Sequence, residues 1–139
     1  MGQRPRVIDH IGVGVRDFDE SLEFYTRALA PLGFEQTAFI DSDNRAAAFG
    51  TQGRDDFWIH EGRPLGRMHV AFDAENREAV DAFHAAARDA GGRDNGAPGV
   101  RPEYSETYYA AYILDPNGNN IEAVSHGDAP SRRGHDTPR

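Results

Sequence analysis

The stretch VIDHIGVGVRDFDESLEFYTRALAPLGF (residues 7–34) decides the fold, because its plan returns as GRMHVAFDAENREAVDAFHAAARDAGG (residues 66–92). His10 and His69, Asp17 and Asn76, Phe24 and Phe83, and Gly33 and Gly92 all stand 59 residues apart. Each copy reads as a short apolar strand carrying a histidine, a capping residue, an amphipathic helix and a glycine stop. In the first copy a strand is expected over 7–15, with apolar residues alternating from Ile11. Asp17 followed by Glu20 has the form of a capping box. Phe18, Leu22, Tyr25 and Leu29 then recur at helical spacing, and Pro31 and Gly33 end the helix. In the second copy the strand spans about 67–73, Asn76 caps, Val80, Phe83, Ala87 and Ala90 form the apolar stripe, and Gly91-Gly92 stops it.

Beyond each helix the apolar residues recur in short β-like runs. These are about 34–40, 45–49 and 56–61 in the first half, and 108–114 and 119–125 in the second, the last two joined by the strong turn sequence Asp115-Pro-Asn-Gly118. Residues 93–104 hold Gly96, Pro98, Gly99 and Pro102, which makes them a loop or an interrupted edge strand, since proline cannot donate to a ladder. The expected architecture is α+β: two tandem βαβββ modules, about 7–61 and 67–126, joined at 62–66 in a single domain spanning 1–126. A polar tail from 127 to 139 is expected to be disordered.

Composition sets the outer bounds. A chain of 139 residues with 38% hydrophobic and 27% charged residues suits one globular domain. It has no cysteine, so disulfides, thiolate nucleophiles and zinc–thiolate sites are excluded. Fifteen Lys and Arg against 23 Asp and Glu give a formal charge of −8, which argues against a nucleic-acid partner that must be met with positive charge. No run approaches the roughly 18 apolar residues of a membrane helix, and the first residues lack the apolar core of a secretory signal, so a cytoplasmic protein without a membrane partner is expected.

Strand alternation then places the chemistry. In the first strand Ile11, Val13 and Val15 share the face that packs on the helix, leaving His10, Gly12 and Gly14 on the other. In the fifth, Met68, Val70 and Phe72 oppose His69 and Ala71. Each imidazole therefore stands beside residues with almost no side chain, which leaves open space in front of it. In the last strand Ile121 and Ala123 face the core and Glu122 points away. Two imidazoles and a carboxylate suit Zn, Fe(II), Mn, Co or Ni, with positions left for water and ligand. Taken singly, each residue has a plainer reading as a structural histidine or an edge-strand glutamate; the repetition is what raises the set above that. His84 and His135 read as surface residues and His126 as a residue of the pocket rim.

Ile8-Asp-His-Ile-Gly-Val-Gly-Val15, Ser21-Leu-Glu-Phe-Tyr25, Met68-His-Val-Ala-Phe72 and Asp115-Pro-Asn-Gly-Asn-Asn-Ile-Glu122 together resemble the vicinal oxygen chelate superfamily, which includes glyoxalase I, bleomycin- and fosfomycin-resistance proteins and extradiol dioxygenases. The resemblance runs from about Val7 to His126. It implies eight strands curled around a cavity with the helices outside, a divalent metal held by His10, His69 and Glu122, and a homodimer, which would also cover apolar strand edges. Glyoxalase I has a fourth, acidic ligand on the fourth strand. Aligning Trp58-Ile59 with Ile121-Glu122 places Ile59 there, an aliphatic residue that cannot ligate, and turns His60 to the opposite face unless a bulge brings it round.

The chemistry that the resemblance implies is chelation of adjacent substrate oxygens by a Lewis-acidic metal, in a lyase, isomerase or dioxygenase. Glu122 and Tyr108 are the expected catalytic residues, drawn from a set that also includes Tyr104, Tyr109 and Tyr112. Alternation puts Tyr108 and Tyr112 on one face and Tyr109 on the other. Arg101, Trp58 and His60 are expected to contact substrate, although Arg101 can equally pair with Glu103 or Glu106. The alternative function is non-catalytic sequestration of a drug or metabolite, as in bleomycin-resistance proteins.

Overall fold

A computed structural model describes residues 8–64 and 66–127; the tail expected over 127–139 lies outside them apart from its first residue. The elements follow the duplicated plan. The first module contains β1 (Ile11–Val15), α1 (Phe18–Leu29), a short 3-10 turn (Ala30–Leu32), β2 (Glu35–Ile40), β3 (Ala46–Gly50) and β4 (Phe57–Glu61). The second contains β5 (His69–Asp73), α2 (Arg77–Asp89), β6 (Arg93–Val100), β7 (Tyr109–Leu114) and β8 (Asn120–Ser125). Two four-stranded sheets result, with the matching orders β1-β4-β3-β2 and β5-β8-β7-β6, and they do not close into a barrel. In each, the first strand lies at an edge and pairs in parallel with the last, while the remaining pairs are antiparallel.

Local chemistry fixes both helices. The Asp17 carboxylate accepts the Glu20 amide at 3.1 Å, and the Asn76 side chain accepts the Ala79 amide at 2.9 Å; each satisfies an amide that the first helical turn leaves unpaired. Phe18, Phe24, Tyr25, Ala28 and Leu29 of α1 and Val80, Phe83 and Ala87 of α2 are buried. Gly33 and Gly91 end the helical runs with φ of 88° and 105°, a region that costs glycine least. Gly92 serves a different purpose. A Cβ there would stand 2.6 Å from Ile113 Cγ2, 2.8 Å from Phe24 Cε1 and 2.9 Å from the Ala87 carbonyl oxygen, so a side chain is excluded where the modules press together.

One surface assignment is overturned. His84 is 8% exposed, and its Nε2 lies 2.8 Å from Asp94 Oδ1, tying α2 to β6. Its place beside Phe83 gave no sign of this, because Asp94 reaches it from a separate strand. The His84 bond, followed by the Gly96 amide, holds the Asp94 carboxyl below the usual range. The proline-interrupted segment is β6, an edge strand whose register with β7 shifts twice, between Asp94 and Gly96 and between Gly96 and Gly99. β2 is likewise an edge strand, with a register shift between Gln36 and Ala38 and with Phe39 and Ile40 exposed.

A single apolar cluster spans both modules. α1 packs on α2 while each helix also covers strands of its own module. Phe72 of β5 meets Phe57 of β4 edge to face at 5.2 Å and lies 5.8 Å from Phe34. No helix among the described residues is long and apolar enough to cross a membrane.

Beside the exposed pair of Arg27 on α1 with Asp89 on α2, the buried polar link between modules centres on Asp115. Buried at the start of the β7–β8 turn, its carboxylate accepts the Tyr25 hydroxyl, the amides of Asn117 and Asn119 at 2.9 and 2.8 Å, and Asn119 Nδ2 at 2.9 Å. Asn117 continues the link, accepting the Arg16 amide at 3.2 Å and donating to Ser21 Oγ at 3.2 Å. Burial, then the Asp115 charge and hydrogen bond, raises the Tyr25 pKa well above its ordinary 10.0. Tyr25→Phe should lower unfolding free energy at pH 8 by about 1.5–3 kcal/mol, the range for a hydrogen bond to a charged group. Tyrosine in the unfolded chain ionises near pH 10 whereas Tyr25 in the folded chain does not, so wild-type stability falls above about pH 10 in a way the variant escapes. The gap between the two in urea denaturation should therefore narrow with rising pH; a gap that stays constant would remove Tyr25 as its source.

Candidate functional site

The face of the second sheet turned away from the helices carries two cross-strand rows. Register places His69, Asn120, Leu114 and Arg93 in one, and Ala71, Glu122, Tyr112 and Gly96 in the next. Period-two alternation along β5 and β8 brings His69 and Glu122 together on this face. Glu122 is 2% exposed. Its Oε2 accepts the Tyr108 hydroxyl at 2.5 Å, and its Oε1 lies 3.1 Å from His69 Nε2.

The other imidazole nitrogen fixes the chemistry of this pair. His69 Nδ1 is 3.0 Å from the Asn120 carbonyl oxygen. A carbonyl can only accept, so Nδ1 carries the hydrogen. In that tautomer a neutral His69 offers Nε2 as a lone pair 3.1 Å from Glu122 Oε1, an arrangement that a metal ion shared by the two would satisfy. A ligating histidine whose second N–H is donated to a backbone carbonyl is a recurrent feature of metal sites. Donor atoms sharing one tetrahedral zinc lie about 3.3 Å apart for bonds of about 2.0–2.1 Å, close to the separation here. The pair therefore fits a divalent ion.

The third expected ligand is elsewhere. His10 precedes β1 with its side chain 55% exposed and Nδ1 2.8 Å from Asp9 Oδ1. Among the described residues no three His, Asp or Glu side chains gather into a metal-binding group. On the first sheet, Gly12 pairs with Trp58, Val13 with Ile59 and Gly14 with His60, whereas Ala71 pairs with Glu122. Gly12 corresponds to Ala71 by the 59-residue offset, so Trp58, not Ile59, occupies the position equivalent to Glu122. Ile59 is wholly buried in the core. His60 shares the Trp58 face without any bulge and, with Gly12, Gly14, Arg63, Met68 and Asn119, lines a small cleft between the modules. Equivalence between β4 and β8 is set by register against β1 and β5, which the residue order of β4 and β8 alone does not contain.

Around His69 and Glu122 opens a polar cavity of about 410 Å³, also lined by Arg101, Tyr104, Tyr108 and Tyr112. Burial first, then the bond to Glu122 and its charge, raises the Tyr108 pKa far above 10.0, so its phenol keeps its proton. Burial and the Glu122 charge raise that of Tyr112 in the same direction. Tyr109 instead faces α2 and donates to Asp81 at 2.7 Å. The Tyr108 ring lies 4.9 Å from Tyr104 and meets His126 edge to face at 5.3 Å. Arg101 pairs with neither Glu103 nor Glu106: it donates to the Ala97 carbonyl at 2.7 Å and lies over the Tyr112 ring, 5.2 Å from its centroid. Sequence reasoning missed Asn95, Asn120, Arg67 and Arg93 near this site. Arg67 and Asn120 were within reach, each two residues before a singled-out side chain, but Arg93 and Asn95 depend on the irregular register of β6.

The family model for the Glyoxalase/Bleomycin resistance protein/Dioxygenase superfamily matches residues 7–123. The chain belongs to that superfamily. It is similar to a glyoxalase/bleomycin resistance protein from Albidiferax ferrireducens T118, at 28% identity and a TM-score of 0.67, covering 86% of this chain and 98% of the other. A glyoxylase/bleomycin resistance protein/dioxygenase domain from Frankia sp. EAN1pec shares the fold at 18% identity and a TM-score of 0.66, with 88% and 98% coverage. A glyoxalase I variant from Zea mays shares it at 20% identity and a TM-score of 0.65, over 84% of this chain and 46% of that longer one. The comparison with curated proteins finds no match.

The glycines of β6 make room for the cavity wall. A Cβ on Gly96 would stand 2.7 Å from Tyr112 Cδ2 and 3.4 Å from Arg101 Nη2. Gly96→Ala should therefore push the Tyr112 ring aside and cost about 1–3 kcal/mol of stability. Denaturant unfolding reads the cost and NMR the displacement; unchanged Tyr112 ring resonances would contradict the packing described.

Proposed function

We propose that the chain is a divalent-metal protein that takes a small molecule through adjacent oxygens, with His69 and Glu122 holding the metal and His10 of a second copy completing the ligand set. The lone-pair geometry between His69 Nε2 and Glu122 Oε1 carries this reading. The separation of His10 from that pair within one chain is what assigns its role to a homodimer. β1, which His10 precedes, and β5, which begins at His69, are edge strands, so both retain backbone groups that a second copy can meet.

When bound, the metal supplies a Lewis acid that polarises the ligand's oxygens. The chain's own groups do the rest. Tyr108 keeps its proton and is a positioning residue: its hydroxyl engages Glu122 Oε2 and leaves Oε1 toward His69. Glu122, on leaving the metal, would be the carboxylate that accepts a proton from a substrate held there. Arg101, steadied by Ala97 and Tyr112, borders the cavity as a contact for a polar substrate group. Trp58 and His60, on the first sheet, reach the same substrate once His10 of a second copy brings such a sheet over the cavity. The reaction is of the lyase, isomerase or dioxygenase kind, in the cytoplasm. The second reading is sequestration without catalysis, favoured by the three tyrosine rings on the cavity wall and by Trp58 standing where a fourth ligand would be.

Metal analysis of protein purified without chelator or affinity-tag nickel tests the proposal. Stoichiometric metal is expected in the wild type, with loss of at least tenfold in affinity in His69→Ala, Glu122→Gln and His10→Ala. Sedimentation should show a dimer, and mixing His10→Ala with His69→Ala should restore one intact site in each heterodimer. Absence of binding by Zn, Mn, Fe(II), Co and Ni at neutral pH sinks the metal reading, and tight ligand binding by that metal-free protein would establish sequestration.

A further inference from the structure

Next to the His69 cavity lies a second, wider trough of about 620 Å³. His69, Asn95 and Asn120 border both spaces. The remaining charged residues of the trough are Arg67 and Arg93, and among the described residues no carboxylate lines it. This is unusual within a chain of net charge −8. Arg27, Arg45 and Arg54 each have an acidic partner, as expected where acids outnumber bases. Arg67 and Arg93, like Arg16, Arg63 and Arg101, form no ion pair with any described carboxylate; they differ in that the two line one trough together.

The fold sets both arginines on one surface. Arg93 lies in the same cross-strand row as His69, separated by Leu114 and Asn120. Asp94, its neighbour, faces α2 through His84, so alternation turns Arg93 away from the helix. Arg67 stands two residues before His69 and runs along the β7–β8 turn, where a Cβ on Gly118 would be 3.8 Å from its Nε. Asn95 Nδ2 donates to Asn120 Oδ1 at 3.0 Å, which engages that acceptor and leaves the Asn120 Nδ2 amide as a donor beside the two arginines.

We infer that the trough is an oxyanion subsite that takes a phosphoryl or carboxylate arm of the molecule whose other end lies at His69 and Glu122. Two guanidinium forks without internal counterions match an oxyanion bidentately, and the absence of acidic residues avoids repulsion. The inference relies on the metal reading only for which end of the molecule reacts; anion binding by the trough stands on the arginines alone.

The probe is inorganic phosphate, titrated by calorimetry at fixed ionic strength into metal-free full-length protein. Saturable binding is expected, weakened at least tenfold in Arg67→Ala and in Arg93→Ala and lost in the double variant. Both side chains sit on an exposed rim, so the variants should fold, which circular dichroism checks. Arg16→Ala, an exposed arginine outside the trough, should leave phosphate affinity unchanged; an equal loss there would reduce the effect to net charge and overturn the subsite. Wild-type protein that binds no phosphate, or trough variants that bind it as well as wild type, would also overturn it. Acetate with the same arginine dependence but tighter binding supports the subsite and makes the arm a carboxylate. Glu122→Gln separates the two readings, since it should weaken metal binding at least tenfold while phosphate binding keeps its dependence on Arg67 and Arg93.

Discussion

The buried Asp115 carboxylate is the contact on which the placement of everything else depends. Four donors converge on its two oxygens, one of them from α1 of the other module. A buried anion is tolerated only when its lone pairs are met, and here they are met by groups that each have a second task. Asn119, held by two of those bonds, accepts the Met68 amide at 2.8 Å, and the Asn120 amide returns to the Met68 carbonyl at 2.8 Å. Those contacts set the start of β5 against the start of β8. One residue further along each strand lie His69 and Asn120, and Glu122 follows two later. A turn aspartate thus determines the separation of an imidazole and a carboxylate that it never touches.

Duplication supplied two equivalent surfaces, and they have diverged. The second sheet pairs Ala71 with a buried glutamate and surrounds it with tyrosines, a histidine and arginines. The first pairs Gly12 with Trp58 and offers His60 and the exposed His10. Donor chemistry is concentrated on one module and apolar bulk on the other.

Much of this was legible in residue order. The fixed offset gave the modules, caps and stripes gave the helices, and alternation put His69 and Glu122 on the face where they meet, because all three are local regularities with periods of a few residues. What escaped was non-local. Whether Ile59 or Trp58 matches Glu122 depends on which residue of β1 lies across from it, and His84 became a core residue only because Asp94 arrives from another strand. β6 was readable as an edge strand from its prolines, yet its two register shifts decide which side chains face the cavity, and nothing in the sequence counts them. Arg101 was left between substrate and neighbouring glutamates; the structure gives it a third role, stacked on Tyr112.

The offset pairing of β2 bears on how these molecules behave in a crowd. Phe39 and Ile40 stand exposed on an outer strand, the kind of surface along which another chain can add a strand and begin a fibre. The extra residue between Gln36 and Ala38 bends that border and interrupts the even spacing of its free amides and carbonyls. A neighbour cannot then hydrogen-bond along it in continuous register. The irregularity that weakens one ladder inside the molecule makes that border a poor template for a foreign strand.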